Sequence, residues 1–131
     1  MIGASTGRTD VTAEEYARQR IHGNHAFSVL AADCLTSIGM QFVLVRDPHA
    51  RSNYVDELLT SNSIARLNSK HSNGQSSGAF WISWPKFLRF FSSITVSTYS
   101  NDFYDVREVA RFTRSSTQLI PTFHFHISKY E

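Results

Sequence analysis

The segment Met40 to Arg46, MQFVLVR, limits most tightly what this chain can fold into. Phe42, Val43, Leu44 and Val45 are apolar at consecutive positions. Side chains of an extended strand alternate between two faces, so a strand of this composition is buried on both. Ala26 to Leu35, AFSVLAADCL, reads as a second strand. Phe27, Val29 and Ala31 point to one side, Ser28 and Leu30 to the other. Thr36-Ser37-Ile38-Gly39 supplies turn chemistry between the two segments, which makes them a hairpin.

Similar short runs recur along the chain. Aromatic residues make up 13% of it, ten of them Phe, and this favours strands. A short strand is expected over Met1 to Ala4. A helix follows from Thr12 to about Arg20, where Thr12 and Glu15 have capping-box spacing and Asp10 adds negative charge at the helix start. Val55 to Leu59 and Ile64 to Leu67 suit short helical pieces, and Asn68 to Gly78 reads as a surface loop. Ala79 to Ser83 is a strand. Pro85 then opens a helix with an apolar stripe of Phe87, Leu88, Phe90 and Phe91, and Ser92 to Tyr99 returns to strand. Asp105 to Phe112 and Leu119 to Ser128 are further strands. The last alternates Phe123, Phe125 and Ile127 against His124, His126 and Ser128. The expected class is α+β, a twisted antiparallel β-sheet with a few short flanking helices, in residues 1–101. Residues 102–131 are expected to hold a linker and the first strand or strands of a following β-domain.

At 131 residues the chain can bury a core, and with 41% hydrophobic and 18% charged residues it is not a disordered polymer. No run approaches the ~20 apolar residues that span a bilayer. The first ten residues do not have the form of a secretory signal, so a cytoplasmic setting is expected. The formal charge of +2 comes from scattered basic residues, which argues against a nucleic-acid partner. A single cysteine, Cys34, excludes an internal disulfide and a multi-cysteine zinc site. His124 and His126 share a strand face without an evident third ligand, so a polar face is expected there and no metal.

Three segments, in order, resemble the second catalytic subdomain of calpain-type cysteine proteases. They are Gly23-Asn24-His25-Ala26-Phe27-Ser28-Val29; Leu44-Val45-Arg46-Asp47-Pro48-His49; and Gly78-Ala79-Phe80-Trp81-Ile82-Ser83-Trp84 with Phe87-Leu88-Arg89-Phe90-Phe91. Ile94-Thr95-Val96 is similar to the family's next strand. The resemblance covers about residues 1–100, and the segment from Phe103 onward looks most like the domain that follows the core in the small optic lobes branch. It implies the second half of a papain-like core and Cys–His–Asn chemistry on an extended polypeptide. His25 matches the general acid/base, and Asp47 the residue that orients its ring. The implied partner is the Cys-bearing subdomain, without which the chain is expected to hydrolyse nothing. Cys34 does not stand in for that nucleophile. Nine residues of strand separate it from His25, ~30 Å along the chain.

The chain departs from the family pattern at named places. Asp47 replaces the usual Asn. A carboxylate can still accept the imidazole N–H, and it favours the imidazolium form. His49 stands where a tryptophan is usual, so weaker cover over the His–Asp contact is expected. The family's calcium ligands fall near Asn53 and at Ser77 and Ala79, with Asp56 and Glu57 expected to be solvated loop carboxylates. No calcium and no other cofactor is therefore expected. The alternative reading is a non-catalytic pseudo-protease or protein-interaction module. A small β-rich binding domain unrelated to proteases would be favoured if His25 and Asp47 proved to lie far apart.

Overall fold

A computed structural model of the chain describes residues 1–98. Its elements, in order, are β1 (Ile2–Thr6), α1 (Ala13–Gln19), β2 (Ala26–Leu35), β3 (Met40–Arg46), α2 (Ser61–Lys70), a 3-10 turn (Ser72–Gln75), β4 (Ala79–Ser83), α3 (Trp84–Phe90) and β5 (Phe91–Val96). The strands form one antiparallel sheet in the order β4-β3-β2-β1-β5. The strands expected over Asp105 to Phe112 and Leu119 to Ser128, the His124–His126 face and the boundary at 101/102 lie outside the described residues.

β3 has the predicted double burial. Phe42, Leu44 and Val45 are completely inaccessible and Val43 nearly so. Val43 and Val45 join Ala4, Phe27, Phe80 and Ile82 on one face, covered by Tyr16 of α1 and by Phe87 and Phe90 of α3. Phe42 and Leu44 join Leu35 and Trp81 on the other face, covered by Leu67 of α2.

The β2–β3 hairpin forms, but β2 does not keep simple alternation. Val29 pairs with Val45, whereas Ala31 pairs with Leu44, so Leu30 is an extra residue in a β-bulge. Phe27 and Val29 stay with the first face, while Leu30 and Ala31 pack on the second. The expected grouping of Ala31 with Phe27 and Val29 is thus corrected. A bulge shifts the two-residue period by one, and composition does not reveal it.

The helices differ from expectation in extent. Thr12 caps α1 as predicted, its Oγ1 accepting from the Glu15 N–H at 3.1 Å. The Glu15 carboxylate does not close the reciprocal half of a capping box but meets Arg89 at 3.1 Å. α2 is one ten-residue helix with Thr60 as its cap, and it contains the expected piece at 64–67. The second expected piece, at 55–59, is irregular chain. In α3, Phe87 and Phe90 are buried but Leu88 is half exposed, and Phe91 already belongs to β5.

Two polar side chains tie these parts together. The Tyr16 hydroxyl accepts from the N–H groups of Gly7 and Arg8 and donates to the Phe90 carbonyl at 2.7 Å. Asp56 is the second, and it corrects the expectation of a solvated loop carboxylate. It is 2% exposed and accepts from the Tyr54 hydroxyl, the Leu58 N–H and the Ser83 N–H. Burial alone would raise its pKa, but these donors outweigh that and hold it below the ordinary carboxylate value. Asp56→Asn places an amide among donors and should cost about 1–3 kcal/mol of stability near pH 7 by denaturant titration. A depressed native pKa contributes stability that is fully present above the unfolded value of about 3.9 and is lost as pH falls through the native one. The gap between wild type and Asp56→Asn should therefore shrink as pH falls below about 4. A gap that stays constant on acidification would show that the Asp56 charge is not stabilising.

Candidate active site

β3 ends at Arg46, and the next residue, Asp47, is still inside, with 0% exposure. A buried carboxylate must be met by donors. The turn that follows supplies them. Asp47 Oδ1 accepts from the His49 N–H at 2.8 Å. Its Oδ2 accepts from the Ser52 N–H and the Ser52 hydroxyl, both at 2.8 Å, and from the Arg51 N–H at 3.2 Å. The turn is held against β4 by the bond from Asp47 N–H to the Gly78 carbonyl at 2.9 Å. Gly78 permits that approach. Its φ is +78°, and a Cβ there would stand 2.4 Å from the Asp47 carbonyl oxygen.

His25 precedes β2 as Asp47 follows β3, and the antiparallel pairing of Ser28 with Arg46 brings the two together. The His25 Nε2 lies 2.9 Å from Asp47 Oδ1. The loop that carries His25 is pinned by Thr6, which accepts from the His25 N–H at 3.0 Å and donates to the His22 carbonyl at 2.8 Å. Asn24, next to it, takes a left-handed φ of 50°, a conformation asparagine tolerates better than most residues. The two loops are also joined directly, since the His22 N–H donates to Ser52 Oγ at 3.0 Å. Ser52 thus links the backbone beside His25 to the carboxylate that binds its ring.

The His25 side chain is 14% exposed. Phe27 meets its ring edge-on at 5.1 Å, and His49 does so at 5.0 Å from another side. The imidazole of His49 therefore packs on the His–Asp pair at the position where the resemblance has tryptophan. His22 lies 4.7 Å away, centroid to centroid. Among the described residues, His25 Nδ1 makes no hydrogen bond. The ring is therefore fixed through Nε2 and has its second nitrogen available for another group.

No family model matches this chain, and no curated protein matches it.

The geometry must therefore carry the chemistry on its own. Burial works against the Asp47 charge, but the Ser52 hydroxyl, the N–H groups of His49 and Ser52 and the His25 ring more than offset it. They hold the carboxyl well below the ordinary range. A permanent carboxylate accepts only, so the neutral His25 ring carries its proton on Nε2 and presents Nδ1 as a base. Such an arrangement can take a proton from an acidic group placed at Nδ1 and return it.

His25 and Asp47, both proposed from sequence, come together. Cys34 does not join them. It is exposed and pairs with Gln41 beside the hairpin turn, at the far end of β2. The sequence reading missed Ser52, Thr6 and His22. An Asp followed two residues later by a free N–H is a known turn pattern, so the His49 contact was legible. Ser52 meets Asp47 only five residues back but carries no mark in the sequence, and its bond to His22 and the contacts of Thr6 reach across the fold.

Asp47→Asn sets its amide N–H groups against the three donors at Oδ2 in one orientation and against the His25 and His49 N–H groups in the other, and should cost about 1–3 kcal/mol of stability by denaturant titration. Nitrogen-15 NMR of the neutral wild-type imidazole should show the Nε2–H tautomer, and an Nδ1–H tautomer would refute the assigned geometry.

Proposed function

We propose that this chain is the histidine-bearing half of a cysteine endopeptidase core of the calpain type. The observation that carries the reading is the His25–Asp47 pair, with Nε2 bound to a buried, multiply anchored carboxylate and Nδ1 unbonded among the described residues. Cysteine peptidase chemistry needs an imidazole oriented on one nitrogen and reactive on the other. The five-stranded antiparallel sheet with short helices supports the same reading, as do the three ordered motifs that place His25 and Asp47 at adjacent strand ends.

On this reading a cysteine from a partner subdomain sits at His25 Nδ1. The ring takes the thiol proton, the thiolate attacks the peptide carbonyl, and the imidazolium returns the proton to the leaving amine. Asp47 is then a positioning residue that stabilises the imidazolium, in the place of the family's asparagine. The substrate is an extended polypeptide, and a cytoplasmic setting belongs to the same proposal. Alone, the chain has a base and no nucleophile, and so should not turn over.

The test is to combine the chain with a Cys-bearing calpain-type subdomain and follow a fluorogenic peptide. Turnover should require both parts, fall at least 1,000-fold in His25→Ala, and persist in Cys34→Ser. Turnover that survives His25→Ala, or thiol-dependent hydrolysis by this chain alone, would overturn the assignment. An inert pairing with an otherwise competent Cys-bearing half would identify a pseudo-protease.

A further inference from the structure

The His22 side chain stands beside His25, and the proposed chemistry does not use it. Its Nδ1 is buried and, among the described residues, has no hydrogen-bond partner. A buried polar atom without a partner is uncommon and costs free energy, so it calls for an explanation. A ring nitrogen of His22, one of His25 and a carboxylate oxygen of Asp47 all lie within 4.8 Å of one another. Two imidazoles and one carboxylate are the protein donor set of an open zinc site, in which water takes the fourth position.

We infer that His22, His25 and Asp47 bind one zinc ion, which enters between His25 Nε2 and Asp47. Ligand bonds of about 2.0–2.1 Å in a tetrahedron put ligand atoms about 3.3 Å apart. The His25–Asp47 contact of 2.9 Å must then open by a few tenths of an ångström, and His22 must swing inward. Both are side-chain rotations, because the backbone of each ligand is separately held. Thr6 fixes the His22 and His25 backbones, and Ser52 keeps its bonds to the His22 N–H and to Asp47 Oδ2. Asp47 Oδ1 keeps the His49 N–H and exchanges the imidazole N–H for the metal. Water completes the coordination.

The ion takes the nitrogen by which Asp47 orients His25, so zinc binding and general-base function exclude each other. Zinc is therefore an inhibitor of this site, a consequence that rests on the protease reading, whereas the binding itself does not.

The probe is zinc chloride titrated calorimetrically into the chain of residues 1–131. One ion should bind in the micromolar range. His22→Ala and His22→Gln, each checked for an unchanged fold by circular dichroism, should weaken it at least tenfold. His71→Ala, at a histidine whose ring meets Asp33 at 3.1 Å instead, and the double variant His124→Ala/His126→Ala should leave it within twofold. Binding that is weaker than millimolar, or that survives both His22 variants, or that follows His124 and His126 instead, overturns the site. With the Cys-bearing half present, zinc should inhibit wild type at concentrations at least tenfold lower than those needed for His22→Ala, each relative to its own zinc-free rate. Equal sensitivity would overturn the inhibitory role while leaving the binding measurement to stand alone.

Discussion

A strand with no solvent face is the constraint from which the remaining structure follows. Because both sides of β3 are buried, helices must cover both sides of the sheet, and α1 and α3 take one side while α2 takes the other. Because β3 has no exposed edge, β2 and β4 must flank it. The next residue along is then inside as well. Asp47 is a charge at the end of an apolar strand, where an unmet carboxylate would cost several kcal/mol. Residues 49–52 turn back to meet it, and that turn is the wall of the site.

A carboxylate anchored in this way is stiff. Its Oδ2 is committed to three donors and its Oδ1 to one, so its remaining lone-pair direction is fixed before any ring arrives. The hairpin then sets His25 opposite that direction. Orientation thus comes from secondary structure and buried hydrogen bonds, which cost no reorganisation when a proton moves. Asp47 departs from the asparagine of the pattern that the sequence resembles. In the fold the donors around Oδ2 suit a carboxylate and would leave an amide N–H facing other N–H groups.

The two uses proposed for this cluster compete. Proton transfer needs Asp47 to hold the Nε2–H of His25. Metal binding needs that nitrogen free of its proton. Which applies depends on whether a cation supplies the charge that the His25 N–H otherwise provides, and the His22 side chain takes part only in the second.

Much of the architecture was legible along the chain because it is local. The apolar run of β3, the cap at Thr12, Pro85 at the start of α3 and the hairpin turn each act over a few residues. So did the pairing of His25 with Asp47, since two strand ends joined by one turn must meet. The β-bulge at Leu30, the burial of Asp56 and the single helix α2, which buries only Leu67 among its residues, were not legible. Each depends on what packs against it from elsewhere in the chain. By itself the sequence determined which strands are buried and which two side chains stand at adjacent ends of the hairpin. Only the tertiary structure decided that Ser52, Thr6 and His22 complete the site. The bonds from Thr6 to the His22 and His25 backbones and from the His22 N–H to Ser52 run between segments distant in sequence, and no local periodicity records such contacts.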